Sequence, residues 1–238
     1  MGLTAARASI ASVSTMTQPR VGRAFTTPIY SQSEVARIIV APQSTVNNWA
    51  SGYVSTAGKQ QSPVLSGVVP GRGLTVPFLA LAEAYVLTAF RKAGLPMQRI
   101  RPAVTALVEG IGLEYALASD RLMTDGAEVL LRSDDPAGQR LVVLRNGQAV
   151  FSEVVKDYLR FIDFGDDGLA ETIQLPRFDR ASVSVSPLIN GGQPTLTDRG
   201  VTLTAVLGRL RAGDGPEDVA DDFGLTVDEV LYLNRAEG

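Results

Sequence analysis

The residues best equipped for chemistry in this chain are a run of small hydrogen-bonding side chains, Gln43, Ser44, Thr45, Asn47 and Asn48, interrupted by Val46. Asn and Gln carry a donor beside an acceptor, the arrangement that pairs with an adenine edge in the DNA major groove. Ser and Thr hydroxyls can meet bases or phosphates. Catalysis has less to work with. Histidine and cysteine are both absent, which excludes His-based triads, thiolate nucleophiles, disulfides and His/Cys zinc sites. Carboxylates remain. Asp163, Asp166 and Asp167 could offer Mg²⁺ hard oxygen ligands, but an Asp-Gly turn accounts for the latter pair without function. Asp120, Asp125, Asp134 and Asp135 read as solvated acids around turns. No nucleophile stands beside a base, so the chain is read as a non-enzyme with no metal and no cofactor.

The elements that must position the polar run are two short helices and a tight turn. Ser31 with Glu34 three residues later makes a capping box, and Val35, Ile38 and Ile39 recur on one helical face. Ala41-Pro42 stops that helix. Ser44 is the expected N-cap of a second helix, whose Val46 and Trp49 turn inward and which Gly52 ends. Such a helix-turn-helix presents the start of its second helix to DNA. A plain helical hairpin with a polar outer face fits the same 25 residues.

Charge bears on that choice. The net charge is -3, yet residues 1–110 hold 10 Lys/Arg against 3 acids, and residues 111–238 hold 12 against 22. The basic front half favours phosphate and the acidic remainder repels it. Residues 1–28 contain no acid and read as a flexible basic arm, without a signal-peptide h-region. Residues 54–75, rich in Gly, Ser and Pro, fit a wing in which Lys59 and Arg72 are available for phosphates alongside Arg37. The longest nearly apolar run, residues 76–90, is too short for a bilayer, so the expectation is a cytoplasmic protein with no membrane partner.

That apolar run belongs to a helix over residues 76–93, closed by Arg91, Lys92 and Gly94. It must be buried, against its own domain or in a dimer. A second helix follows from Met97, with a kink or break expected at Pro102. Residues 111–178 read as a small mixed α/β segment. Strands are expected at 129–132 and 141–145, with an Asn146-Gly147 turn, then a strand over 149–155 and a helix over 154–161. A second hairpin turns on Gly165-Asp166-Asp167-Gly168. Near the C-terminus, Leu203, Val206, Leu207 and Leu210 share a helical face, and Pro216 and Gly224 bracket a second helix. Thr226 with Glu229 caps a third whose inner face is Val227, Val230 and Leu231. These three helices are shaped like another helix-turn-helix. From Gly213 to Leu233, however, there are seven acids and no base, which points to a protein partner rather than DNA.

Two resemblances sharpen this reading. Helix-turn-helix, wing, apolar helix and then Ala93-Gly94-Leu95-Pro96-Met97-Gln98-Arg99-Ile100-Arg101 resemble the N-terminal part of MerR-type regulators over roughly residues 29–110. Their long dimerising coiled coil has no counterpart here. The C-terminal pattern carried by Pro187, Gly191, Gly192, Pro194, Arg199, Gly213, Glu217, Ala220, Asp222, Phe223 and Leu225 resembles a small helical family found in VapB-type antitoxins. The chain then resembles a two-part antitoxin of a type II toxin–antitoxin module. That resemblance implies autorepression through double-stranded operator DNA and neutralisation of a PIN-like ribonuclease toxin, and a symmetric operator would demand a homodimer. The toxin-facing residues it suggests are Arg199, Arg209, Arg211, Glu217, Asp221, Asp222 and Arg235, acids toward the toxin's basic rim and an arginine toward its carboxylates. Two other designs use the same elements: an effector-responsive regulator whose middle segment binds a small molecule, and a carboxylate metalloenzyme.

The expected fold class is α+β and helix-rich. It comprises a flexible arm (1–28), a winged helix-turn-helix (29–110), a mixed α/β middle segment (111–178) and a C-terminal three-helix domain (179–238).

Overall fold

A helix apolar on every side dictates the architecture. The computed structural model describes residues 22–56, 58–111, 114–122 and 157–237. The strands and turn expected within 129–155, Asp125, Asp134, Asp135 and residues 1–21 of the arm lie outside the described residues. In chain order come α1 (Arg23–Thr26), β1 (Pro28–Tyr30), α2 (Gln32–Ile38), α3 (Gln43–Ser51), β2 (Tyr53–Val54) and β3 (Gln60–Gln61). Next are β4 (Val76–Pro77), α4 (Phe78–Lys92) and α5 (Met97–Ile111). Strands β5 (Ile162–Phe164), β6 (Ala170–Gln174), β7 (Val183–Val185), β8 (Thr195–Leu196) and β9 (Val201–Thr202) precede α6 (Leu203–Ala212), α7 (Pro216–Phe223) and α8 (Val227–Glu237). The fold is α+β and helix-rich.

Every residue of α4 from Phe78 to Phe90 is buried. A helix with no polar face has to be enclosed, and α1, β1, β4, β6 and the 3₁₀ turn Ala116–Ala118 all pack on it. Sequence left open whether this burial is internal or intersubunit. The single chain already buries the helix, so α4 is core and not a dimer seam. It stops where expected, at Arg91 and Lys92 followed by Gly94 with φ +83°. The next helix, α5, runs unbroken through Pro102. The break does not occur because Ile100, Ala103, Val104 and Leu107 form a buried stripe spanning both sides of the proline.

The sheet is antiparallel in the order β5-β6-β7-β8-β9. Its first turn is the Gly165–Gly168 hairpin read from sequence, where Asp167 accepts the Leu169 amide at 3.0 Å. One ladder therefore joins residues on both sides of position 178. The three final helices carry the expected punctuation. Gly213 and Gly224 are left-handed caps and Pro216 opens α7. The Thr226 amide donates to Glu229 (2.7 Å) while the Glu229 amide donates to the Thr226 hydroxyl (3.2 Å). The inner face of α8 differs by one choice of residue. Leu233 is buried with Val230, whereas Leu231 is exposed, because Leu233 continues the i, i+3 stripe from Val230 and Leu231 points aside.

Front and back halves share one hydrophobic core, and polar contacts join them, two of them through side chains far apart in sequence. The Tyr30 hydroxyl donates to the Gly192 carbonyl at 2.8 Å. A Cβ on Gly192 would fall 2.4 Å from that hydroxyl and 2.7 Å from Ile29 Cδ1, at φ +83°, so only glycine fits the approach. At the second point, Arg177 reaches the Glu237 carboxylate at 2.7 Å and donates to the Arg37 carbonyl at 3.3 Å. Arg37 Nε lies 3.6 Å from the same Glu237.

One carboxylate interrupts α4. Glu83 is fully enclosed, with its Oε2 accepting the Ser66 amide at 2.7 Å. Ser66 Oγ lies 3.1 Å from Oε1 and donates to the Glu114 carbonyl at 2.7 Å. A protonated Glu83 satisfies this set, because its hydroxyl can donate to Ser66 Oγ. Burial pushes the carboxyl up to about 8, opposed by the Ser66 hydrogen bonds and aided by the charge of Glu114.

Two predictions follow from these contacts. The folded carboxyl of Glu83 binds its proton more tightly than the unfolded one. Stability from this group is therefore complete below pH 4.5 and lost as pH rises toward 8, by at most about 1.4 kcal/mol per pH unit. Glu83→Gln, which keeps the acceptor for the Ser66 amide, should flatten that loss and unfold at a higher temperature than wild type at pH 8. Gly192→Ala should cost about 2 kcal/mol or more through strain and overlap with Tyr30, lowering the thermal midpoint by roughly 4–8 °C.

Candidate nucleic-acid interface

The first helix of the pair is fixed by the capping box read from sequence. The Ser31 amide donates to Glu34 Oε2 (2.7 Å) and the Glu34 amide to Ser31 Oγ (3.2 Å). Helix α2 then ends in a Schellman closure, with the Ala41 amide on the Ala36 carbonyl (2.9 Å) and the Val40 amide on that of Arg37 (3.4 Å). The left-handed position of this motif, usually glycine, is Val40 at φ +53°. Its side chain is 60% exposed. A β-branched residue there costs about 1–2 kcal/mol.

Ser44 is not the N-cap of α3. Pro42 holds that place and the helix begins at Gln43. Proline is already extended (φ -58°, ψ 135°), loses nothing by lacking an amide at a helix start, and accepts the Thr45 and Val46 amides on its carbonyl. The shift turns Ser44 from a cap into an exposed first-turn residue. Val46, Trp49 and Ala50 are buried, while Gln43, Ser44, Asn47 and Asn48 are exposed and Thr45 is half-buried. At 100° per residue, Ser44, Asn47 and Asn48 lie on the face opposite Val46 and Trp49, as does exposed Ser51, which sequence reading passed over. Below the helix, the Trp49 carbonyl accepts the Val64 and Leu65 amides.

Gly52 (φ +72°) turns the chain into the β2–β3 hairpin, where a Cβ would strike the Gln61 carbonyl at 2.3 Å. This hairpin occupies the place of the expected wing and carries exposed Lys59. Arg72 is exposed on the separate 66–74 loop, and Arg37 is partly committed to Glu237. Sequence reading missed Arg91, Gln98 and Arg101. They meet Thr45 and Asn48 around a notch of about 250 Å³ beside α3. The available signal was the basic end of α4 and the Gln98-Arg99-Ile100-Arg101 stretch, but more than 40 residues separate them from Thr45.

At the other end, Arg199, Arg209, Arg211, Glu217, Asp221, Asp222 and Arg235 are all exposed. Two of them bind each other: Arg209 pairs with Asp214 and, at 2.8 Å, with Asp222. Those hydrogen bonds raise the guanidinium pKa further. The cap at Thr226 holds the Glu229 carboxyl below its ordinary value. Arg199 and Glu229 border an open hollow of about 360 Å³ against the sheet, together with Asp179, Arg180 and Asp198. Among the described residues no helix is long and apolar enough to cross a membrane.

A protein named "Putative antitoxin VapB45", from Mycobacterium tuberculosis strain H37Rv, is 42% identical over 221 residues, covering 87% of this chain and 92% of the relative. This chain belongs to the VapB-type antitoxin family. A solved relative, the X-ray crystal structure of Rv2018 from Mycobacterium tuberculosis, superposes with a TM-score of 0.72 at 42% identity. It covers 87% of this chain and 97% of that one. An uncharacterized protein of the same organism, Rv2308, is 28% identical over 215 residues, 85% of this chain and 87% of its own. Within this VapB-type chain, residues 28–104 match a family described as a putative DNA-binding helix-turn-helix domain, and residues 183–232 match a family of unknown function. The first match covers the capping box, α3, the hairpin and α4. The second covers β7 through most of α8.

The left-handed Val40 yields a test of the turn. Val40→Gly should stabilise the chain by about 1 kcal/mol, read as a higher denaturation midpoint with an unchanged m-value.

Proposed function

We propose that this chain is the antitoxin of a type II toxin–antitoxin pair and acts in the cytoplasm. Its winged helix-turn-helix binds operator DNA and represses its own operon, and its C-terminal face neutralises a PIN-like ribonuclease. The observation that carries the DNA half is the sidedness of α3. Asn47, Asn48 and Ser44 stand in solvent directly opposite the buried Val46–Trp49 underside. Asparagine's paired donor and acceptor suit adenine, and Lys59 on the hairpin suits the flanking backbone. A symmetric operator calls for a homodimer; with α4 enclosed, another surface carries it.

The toxin half rests on charge. Glu217, Asp218, Asp221 and Asp228 are exposed on α7 and α8, a surface that phosphate would repel and the basic rim of an RNA-cutting enzyme would attract. Arg211 on α6 and Arg235 on α8 are exposed and suit a bidentate grip on a metal-binding carboxylate. Arg209 and Asp222 contribute by bracing the helices, since each already holds the other.

A mobility shift on the chain's own upstream DNA, at two salt concentrations and with or without the neighbouring gene product, tests both halves. Asn47→Ala with Asn48→Ala should relax sequence preference, at about 1–3 kcal/mol per lost base contact. Lys59→Ala should weaken all sequences alike and flatten the salt dependence. Because the sheet crosses position 178, charge reversal is a cleaner probe of the C-terminal face than truncation. Glu217→Lys with Asp221→Lys should release the neighbouring nuclease while leaving DNA binding intact. Nuclease inhibition unchanged by that reversal would overturn the assignment of this face.

A further inference from the structure

The notch beside α3 holds positive charge that the protein itself does not balance. Its walls are Thr45, Asn48 and Tyr53 on one side and Arg91, Gln98 and Arg101 on the other, and no carboxylate lines it. Arg101 is half-buried. One of its nitrogens, Nη1, donates to the Ser62 carbonyl. Its guanidinium carbon sits 5.3 Å from the Tyr53 ring centroid, and Nε and Nη2 are enclosed without hydrogen-bond partners. All of these partners are neutral. Arg91 likewise donates to a carbonyl, that of Leu95 at 2.8 Å.

The contrast with other arginines is informative. Arg177 has Glu237, Arg209 has Asp214 and Asp222, and Arg160 has Asp157. Among the described residues, Arg91 and Arg101 form no ion pair. Arg91 stands exposed, so the cost falls on half-buried Arg101, whose enclosed nitrogens leave a cation partly withdrawn from water with nothing of opposite sign facing it.

We propose that the counter-charge is a backbone phosphodiester of the bound duplex, and that this notch is the seat that sets how α3 lies in the groove. The inference rests on the DNA-binding reading above and adds the residues that orient it. Thr45 and Asn48 are three apart on α3, so the notch sits within one turn of Asn47. A phosphate there accepts from the Arg91 guanidinium, the Gln98 amide and the Thr45 hydroxyl. Arg101 lies behind them, held by Tyr53 and Ser62, and supplies field rather than a direct contact. The same two holds tie α5 to the hairpin, so one phosphate fixes reading helix, wing and α5 together. Phosphate contacts of this kind give register while base contacts give sequence.

The test is the salt dependence of affinity for operator and for an unrelated duplex, measured on the full chain with Arg91→Ala, Arg91→Lys, Arg101→Met and the Asn47/Asn48 double variant. Circular dichroism and thermal midpoints establish that each is folded. Arg91→Ala keeps the test valid if Arg101→Met loosens the hairpin, because the only described contact of Arg91 is within its own turn. Arg91→Ala should weaken both duplexes alike, roughly tenfold, and lower the slope of log K against log salt by about 0.9, one phosphate's share. Arg91→Lys should restore most of the slope. If Arg91→Ala keeps the wild-type slope while the asparagine pair loses sequence preference, DNA binding stands and the notch proposal falls. If wild type binds no duplex at low salt, both fall. If inorganic phosphate raises the thermal midpoint of wild type but not of Arg91→Ala, and the DNA slopes agree, the notch takes a free anion and the duplex assignment is overturned.

Discussion

The structure depends on enclosing α4. A helix with no polar face cannot lie on a surface, so chain from both halves is drawn around it: α1 and β1 from the N-terminal side, β6 and the 116–118 turn from further along. The single carboxylate within it adds a second constraint. Glu83 can be buried there only with Ser66 against it, which fixes where the loop leaving the hairpin must return.

The two halves are consequently joined rather than strung together. The glycine pair that marks the C-terminal pattern in sequence has a structural task at the junction, where Gly192 leaves room for the Tyr30 ring and offers it a carbonyl. Nearby, the last turn of α8 meets α2 through Glu237, shared between Arg37 and Arg177. The face proposed for a protein partner and the helix pair proposed for DNA therefore rest on common side chains. Arg37 illustrates the compromise, since its charge is divided between solvent and Glu237 and is less available to phosphate than its position in the sequence suggests.

Much of this was legible in sequence wherever the deciding chemistry is local. Ser31 with Glu34, Thr226 with Glu229, Pro216 with Gly224 and the Gly165–Gly168 turn each involve partners only a few residues apart, and each formed as read. The misreadings are single-position contests between similar options. Pro42 displaced Ser44 as cap because its backbone is already extended. Leu233 displaced Leu231 because helix geometry favours the i+3 position from Val230. Pro102 failed to break α5 because tertiary burial outweighed the lost amide. What sequence could not show was contact across distance: Tyr30 with Gly192 over 162 positions, or Arg101 with Ser62 over 39. The arginines beside α3 looked like ordinary helix-end charges until the fold placed them against Thr45 and Asn48.

Trp49 is the chain's sole tryptophan, and it sits sequestered on the underside of α3 with its carbonyl holding the segment that follows the hairpin. Indole emission from this molecule thus has one source, located inside the helix proposed to face the duplex. A change in emission wavelength or quenching under tryptophan-selective excitation reports that helix and nothing else. The native chain therefore carries its own optical test of the proposed groove engagement, with no label to attach.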